Sequence, residues 1–250
     1  MSGRYPFAPA AAVLLLLPAA TAFCAHPLFT EDTGTQGRGN VEMELGNSWS
    51  EQDGSNAFLF QPQISYGATS RLDLIVQPSW VTNEPAGGER LRGLGDTNLD
   101  FKWRFYGSAP WSLAVRTGLA VPTSQHGLGL PDGTVSPHVL LVTTIDVAPL
   151  TINADMGYTH LPAEAGLRTD LYHASAAAMF AANPHLTLLL DVGTDTNPDP
   201  TRGSWGVVAL VGFIYTVRPG LDLDAGYRGR LNSAAGPQQW LFGVTFRGAP

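Results

Sequence analysis

Charged residues and cysteines are scarce in this sequence. Only 14% of its 250 residues are charged, against roughly 25% in a typical soluble domain, and the formal net charge is −7. An acidic chain without a basic stripe offers few contacts for phosphate groups, so we expect no nucleic-acid partner. The single cysteine, Cys24, excludes a disulfide framework and a cysteine-based metal site.

Long apolar runs are also missing, apart from a short one near the N-terminus. Ala10–Ala20 is apolar and follows a basic residue, which is the pattern of a secretory signal peptide. The run is too short to span a bilayer as a helix, which takes roughly 20 apolar residues. We therefore predict a Sec-type signal peptide over residues 1–25 and one exported domain over 26–250, with cleavage after Ala22 or Ala25.

After the signal peptide, apolar residues recur at every second position and not with the period of a helix. Segments of about ten residues show this alternation and are separated by Gly, Pro, Asn, Asp and Ser, which predicts strands joined by turns. An even number of strands suits a barrel whose two chain ends lie on one side of a membrane. The twelve predicted strands cover 40–49, 57–67, 71–82, 95–106, 111–122, 137–147, 151–161, 171–182, 185–194, 204–217, 220–230 and 237–247.

The fourth predicted strand shows the alternation most clearly. Its aromatic residues Phe101 and Trp103 alternate with the charged residues Asp100, Lys102 and Arg104. Two environments suit such a strand. A soluble sandwich or barrel buries the rings and exposes the charges, whereas a membrane barrel turns the rings to lipid and the charges to a wet lumen.

Three features favour the membrane barrel. Strands of roughly 10–12 residues exceed the length common in soluble sheets and match a tilted membrane strand. Trp, Tyr and Phe lie near the strand ends, as in the aromatic girdles at a membrane surface. Low charge combined with a signal peptide also suits the outer membrane. We predict an all-β protein, a transmembrane antiparallel up-and-down barrel of about 12 strands that closes to satisfy its backbone.

The connections between the predicted strands alternate in length. Short turns such as 68–70 and 148–150 are expected on the periplasmic rim, and longer polar loops on the extracellular rim. The longer loops include 50–56 and 123–136. We predict that the 123–136 loop folds inward and narrows the lumen.

Three stretches resemble a known family. They are HPLFTEDTGTQGRGNVEME at 26–44, YGATSRLDL at 66–74 and GLGDTNLDFKWRFY at 93–106. With these motifs the chain resembles the outer-membrane family named for a phenol-degradation meta-pathway protein. The resemblance implies a Gram-negative outer-membrane β-barrel that moves small, aromatic or hydrophobic molecules, with no established substrate.

Residues that alternate with the apolar ones are candidates for the lumen wall. Lys102, Arg104 and Arg116 fall on neighbouring strands and predict a basic patch that selects solutes by charge. The alternative is that the lumen charges pair with one another. We find no motif for catalysis, cofactor binding or metal binding, and we predict no such site and no cofactor. The lumen-lining candidates are Glu42, Glu44, Asp73, Asp100, Lys102, Arg104, Arg116, Asp155, Asp222, Asp224, Arg228 and Arg247.

The predicted function is passive or facilitated passage of small solutes across the outer membrane by a porin-like transporter, and not an enzymatic reaction. The expected partners are outer-membrane lipids, a small-molecule solute and the barrel-assembly machinery. Three alternatives remain at this point. They are a structural or surface-interaction barrel with a closed lumen, a barrel-embedded hydrolase using Ser175 or Ser204 with His173, and a soluble periplasmic lipid binder.

Overall fold

The computed structural model describes residues 26–125, 128, 134–163 and 166–248. The predicted signal peptide lies outside the described residues. The described chain forms fourteen β-strands, which are β1 (Val41–Gln52), β2 (Ser55–Gly67), β3 (Leu72–Gln77), β4 (Trp80–Glu84), β5 (Leu91–Leu94), β6 (Thr97–Ser108), β7 (Trp111–Val121), β8 (Ser136–Val147), β9 (Leu150–His160), β10 (Asp170–Asn183), β11 (Leu186–Thr196), β12 (Trp205–Arg218), β13 (Leu221–Arg230) and β14 (Gln238–Gly248).

All of these strands belong to one antiparallel sheet that closes on itself. From β6 to β14 each strand pairs with the next one in the chain, and β1 pairs with β14 on one side and β2 on the other. Apart from the short β5, which pairs only with β4, every described strand pairs on both sides, so the backbone of the wall across the membrane is satisfied without water. The structure therefore confirms the predicted antiparallel barrel.

Two of the barrel strands are interrupted. β3 and β4 both pair with β2, β3 along Ile64–Gly67 and β4 along Asn56–Phe60, and Pro78 lies between them. Proline has no N–H for the ladder, which explains the interruption. On the other side, β6 pairs with β3 and β5 pairs with β4. β5 and β6 therefore make up the next barrel strand, which is also in two pieces. Because β3 with β4 and β5 with β6 each occupy one position in the wall, the fourteen strands form a twelve-stranded barrel, as the alternation predicts.

One predicted loop is wrong. Residues 50–56 were expected to form an extracellular loop, but β1 and β2 run on to a two-residue turn at Asp53 and Gly54. Both residues have positive φ, 53° and 76°. Asp-Gly is the sequence that such a turn favours, because its backbone twist matches that of the paired strands. Glu51 and Gln52 at the end of β1 are polar and break the alternation, so the sequence does not show that the strand continues to the turn.

The two faces of the wall differ as predicted. The side chains of Phe101 and Trp103 point outward and are 43% and 49% exposed, whereas Asp100 and Lys102 point inward and are 6% and 7% exposed. The apolar outer face suits lipid, and the charged inner face suits an aqueous lumen. In the described part of the chain, no helix is both long enough and apolar enough to cross a membrane.

This orientation predicts that an outward charge is costly in proportion to its depth in the bilayer. Phe101 lies in the middle of β6, whereas Phe180 pairs with Leu150 at the first residue of β9, close to the short-turn rim. We expect Phe101→Arg to lower the free energy of unfolding in lipid by about 2–4 kcal/mol and Phe180→Arg by less than about 1 kcal/mol. Urea titration of the refolded variants in vesicles measures both values. Equal losses would contradict a lipid-facing outer surface.

Candidate functional site

The inside of the barrel is occupied by the protein's own residues 26–36, which we call the lumen segment. These residues precede β1 and lie within the wall. Leu28, Thr30 and Glu31 are among the most buried residues of the protein, with 1%, 0% and 2% exposure. The alternation of apolar and polar residues in the strands does not predict that residues 26–36 lie inside the barrel. The only signal in the sequence was the family-like stretch that begins at His26, before the first strand.

Side chains of the wall hold the lumen segment through its backbone. The N–H groups of Phe29 and Thr30 donate to the carboxylate of Asp191 on β11, at 2.6 and 2.9 Å, and the hydroxyl of Thr30 donates to the same carboxylate at 2.7 Å. The N–H of Glu31 donates to Asp155 on β9 at 2.6 Å. These bonds satisfy backbone N–H groups of the segment and order it without making it a strand of the sheet.

A cluster of charged groups surrounds the carboxylate of Glu31. Arg116 Nη1 lies 2.6 Å from Glu31 Oε2, and Lys102 Nζ lies 3.2 Å from Oε1. On its other side, Arg116 contacts Asp100 through Nε at 2.9 Å and Nη2 at 2.8 Å. His138 Nε2 lies 2.9 Å from the same carboxylate. The cluster therefore joins the lumen segment to β6, β7 and β8.

The charge state of Glu31 follows from this cluster. Burial of the carboxyl would raise its pKa, but the neighbouring Lys102 and Arg116 outweigh that effect and hold the pKa below its usual range. Opposite charges at hydrogen-bonding distance favour the ionised form. Glu31 is therefore a carboxylate at neutral pH, and the contact is an ion pair.

On the opposite side of the lumen, the lumen segment makes apolar contacts. Leu28 packs with Ala177 of β10, Leu189 of β11, Leu210 of β12 and Leu241 of β14. Inward-facing apolar residues explain why the predicted eighth and tenth strands have apolar or small residues on both faces. One face contacts lipid and the other contacts Leu28.

At the short-turn rim, polar contacts connect the lumen segment to the wall. Gln36 donates from its backbone N–H to Asp73 at 3.0 Å and from its side-chain amide to Glu42 at 2.6 Å. Arg247 contacts the same Glu42 at 2.6 Å and also pairs with Asp222. The lumen segment is thus tied to the wall along its length, from this rim to the middle of the barrel.

His173 contacts two carboxylates and a serine hydroxyl, and its Nε2 is shared between Asp155 and Ser175. Its Nδ1 lies 2.7 Å from Asp195, and its Nε2 lies 2.8 Å from Asp155 and 3.1 Å from Ser175 Oγ. A nucleophilic serine needs the lone pair of Nε2 to accept its proton. Here the Ser175 hydroxyl donates to Asp155 at 3.0 Å, and Nε2 faces that same acid. Ser204, the other candidate, is exposed in the loop before β12.

A cavity of about 140 Å³ lies on the long-loop side of the lumen segment. Leu28 and Phe29 contribute to its lining, together with wall residues such as Leu59, Val208 and Leu241. Arg228 stacks over the ring of Phe29 with its guanidinium carbon 5.1 Å from the ring centre. An engineered apolar cavity of about 150 Å³ in another protein holds one benzene molecule, so this space is of the size of a single small solute.

The structure brings together only part of the predicted basic patch. Lys102 and Arg116 meet at Glu31, but Arg104 donates to the carbonyl of Ser70 at 3.2 Å, at the turn between β2 and β3. The predicted patch of three basic residues is therefore wrong in including Arg104. A bulge in the pairing of β6 with β7, between Trp103 and Tyr106, separates its side chain from the others.

The other predicted lumen residues lie on inward-facing positions. Whether any of them lines a path for solute stays a prediction. Among residues 26–125, 128, 134–163 and 166–248, no three His, Cys, Asp or Glu side chains gather as a metal site would require. The 123–136 loop, predicted to narrow the lumen, lies partly outside the described residues. Buried inward-facing candidates are Glu42, Glu44, Asp73, Asp100, Lys102, Arg116, Asp155, Asp222 and Asp224, partly buried ones are Arg104 and Arg228, and Arg247 is exposed.

A closed twelve-stranded wall with an apolar outer face and a charged inner face defines an outer-membrane β-barrel protein. Within this class, the chain belongs to the family described as "Putative MetA-pathway of phenol degradation", which matches residues 27–247. The resemblance seen in the sequence motifs is thereby confirmed. A comparison with curated protein sequences gives no match.

Solved structures share the fold. An outer membrane channel from Pseudomonas putida F1 superposes with a TM-score of 0.71 at 12% identity, over 87% of this chain and 98% of that one. The NanC porin and the KdgM porin superpose with TM-scores of 0.59 and 0.58 at 8% and 10% identity. Each covers 82% of this chain, and the shares of their own chains are 98% and 99%. At such low identity, these likenesses show the fold alone.

Proposed function

We propose that this protein is an outer-membrane channel for small solutes whose lumen is blocked at rest by residues 26–36. Passage then requires the lumen segment to move aside. The observation that carries the proposal is the way in which the segment is held. Its backbone N–H groups donate to wall side chains such as Asp191 and Asp155, so it can leave without breaking any ladder of the barrel.

The wall itself supports a channel once the segment has moved. A twelve-stranded barrel is wider than an eight-stranded one, whose interior side chains can fill it, and narrower than a porin of 16 strands. Its inner face carries charges of both signs, and water entering the lumen would solvate them. We infer that polar or amphipathic solutes of low mass suit such a lumen.

We further propose that the chain is exported through a Sec-type signal peptide at residues 1–25 and that residues 26–250 form the barrel domain. The apolar outer face is suited to outer-membrane lipids, and assembly would involve the barrel-assembly machinery. The non-enzymatic role is supported by the contacts of Ser175, whose hydroxyl donates to Asp155, the same acid that lies 2.8 Å from His173 Nε2.

A structural barrel with a permanently closed lumen is the second candidate. It is favoured by the buried ion pairs of Glu31 with Lys102 and Arg116, because removing a carboxylate from two buried cations is costly unless water or another anion replaces it. The two candidates differ in whether the lumen segment moves.

A disulfide between the lumen segment and the wall separates them. The hydroxyl oxygens of Thr33 and Ser112 lie 2.5 Å apart, so Thr33→Cys with Ser112→Cys places two sulfur atoms close to bonding distance. Cys24 is the only native cysteine and is replaced by Ser. We expect liposomes containing the reduced double variant to take up small organic acids and amino acids, and oxidation to stop the uptake.

The controls decide what a negative result means. Thr33→Cys alone cannot form the bond and should conduct in both redox states. If the oxidised double variant takes up solute as fast as the reduced one, passage does not depend on the lumen segment. If no form takes up any solute, the closed barrel is the better description.

A further inference from the structure

We propose that Lys102 and Arg116 form a binding site for a small organic carboxylate in the lumen, which the side chain of Glu31 occupies when no solute is present. The proposal rests on the proposed channel function and names the class of solute that would release the lumen segment. In this view, Glu31 is an internal stand-in for the solute.

The two cations are placed as a pair by the wall and not by the lumen segment. Lys102 of β6 and Arg116 of β7 are direct cross-strand neighbours, and both side chains point inward and are buried. Like charges opposite each other destabilise a sheet, so this position calls for an anion between them. The carboxylate of Glu31 supplies it, with Oε2 facing Arg116 Nη1 at 2.6 Å and Oε1 facing Lys102 Nζ at 3.2 Å.

Arg116 would keep its orientation after Glu31 leaves. Its Nε and Nη2 contact Asp100 at 2.9 and 2.8 Å, and Nη2 donates to Gln63 Oε1 at 3.0 Å. Nη1 is the nitrogen directed at the lumen segment. A guanidinium fixed by wall residues is a preorganised half of a carboxylate site, because little order has to be gained on binding.

The surrounding charges favour a singly charged carboxylate over other anions. Asp73 is the cross-strand neighbour of Lys102 on β3, and Asp100 lies 2.8 Å from Arg116 Nη2; both acids belong to the wall and stay in place when the lumen segment leaves. These acids would repel a dianion such as phosphate more strongly than a monoanion. A neutral solute has no charge to replace that of Glu31, and a cation would be repelled by the pair. The solute is therefore expected to present one planar carboxylate.

The test uses the rate at which a cysteine in the lumen segment becomes accessible. Thr33→Cys in the Cys24→Ser background is refolded into vesicles of phosphatidylcholine and phosphatidylglycerol, and its reaction with a water-soluble maleimide is followed. Benzoate and benzamide are compared because they share size and ring and differ in charge. We expect benzoate to accelerate labelling about tenfold more than benzamide does, since only benzoate can form charge-assisted bonds to the pair.

Two variants and one control make the result specific. Lys102→Met should abolish the difference between benzoate and benzamide. Glu31→Gln should label fast without any ligand and should not respond to benzoate, because no carboxylate remains to be displaced. Arg104→Met, on the same strand but bonded to the Ser70 carbonyl, should respond as the parent protein does.

Several outcomes would overturn the proposal. Equal acceleration by benzoate and benzamide would do so, as would a benzoate response that persists in Lys102→Met or in Glu31→Gln. Solute uptake in the disulfide experiment is measured separately. If uptake depends on the free lumen segment but benzoate accelerates labelling no more than benzamide does, the proposed channel function is supported and the proposed carboxylate site is contradicted.

Discussion

Deleting residues 26–36 is expected to convert a barrel of low conductance into an open channel. The lumen segment crosses the interior and buries Leu28, Thr30 and Glu31 against the wall. The wall closes through the pairing of β1 with β14 and β2, which does not involve these residues. Once the segment is absent, water can fill a lumen lined by charges, and we expect conductance in planar bilayers to rise about tenfold or more.

The deletion has a clear control and a clear contrary outcome. The oxidised Thr33→Cys, Ser112→Cys protein keeps the segment fixed in an otherwise similar barrel and should show the lowest conductance of the series. A shift in gel mobility on heating verifies that each variant has formed its barrel. If the deleted form has a folded barrel but no higher conductance than the parent, loops or wall side chains close the lumen, and the closed-barrel candidate gains support.

Replacing Arg116 by Met is expected to cause the largest loss of stability among single substitutions of lumen residues. The guanidinium is fully buried between the carboxylates of Glu31 and Asp100. Its removal leaves two acids close together without their shared cation, and breaking a buried pair in this way costs about 3–5 kcal/mol. Urea unfolding of the refolded variant in vesicles measures the change.

Arg247→Met is the matched control for this prediction. Arg247 also contacts two acids, Glu42 and Asp222, but its side chain is 48% exposed. Solvent screens such a pair, so the same substitution should cost less than about 1 kcal/mol. Similar losses at both positions would show that water reaches Arg116 as readily as Arg247, and that the centre of the lumen is not dry.

The outer surface of the barrel could be predicted from the sequence because lipid contact depends on local pattern. Phe101 and Trp103 alternate with Asp100 and Lys102, and a strand has only two faces. A closed barrel is the way for such strands to satisfy their backbone in a membrane. The number of strands around the barrel followed from the same counting, even though Pro78 divides one of them.

Turns and bulges were harder to predict than strands. The sequence predicts a loop where the structure has the Asp53–Gly54 turn, because the ends of β1 and β2 are polar where they leave the membrane and the alternation no longer distinguishes strand from loop. Arg104 lies two residues after Lys102 and so has the sequence position of an inward-facing residue, but the bulge in β6 turns its side chain towards the Ser70 carbonyl. The odd or even position of a residue along a strand predicts the face of its side chain only while the strand pairing is regular.

The contents of the lumen were decided by tertiary structure alone. Residues 26–36 carry no periodic pattern, since each side chain meets a different strand: Leu28 meets an apolar patch, Thr30 meets Asp191 and Glu31 meets two cations. Those partners are more than 70 residues away in the chain and come together only when the barrel closes. Alternation records which face of a strand meets lipid, whereas what fills the enclosed space depends on contacts that no local pattern contains.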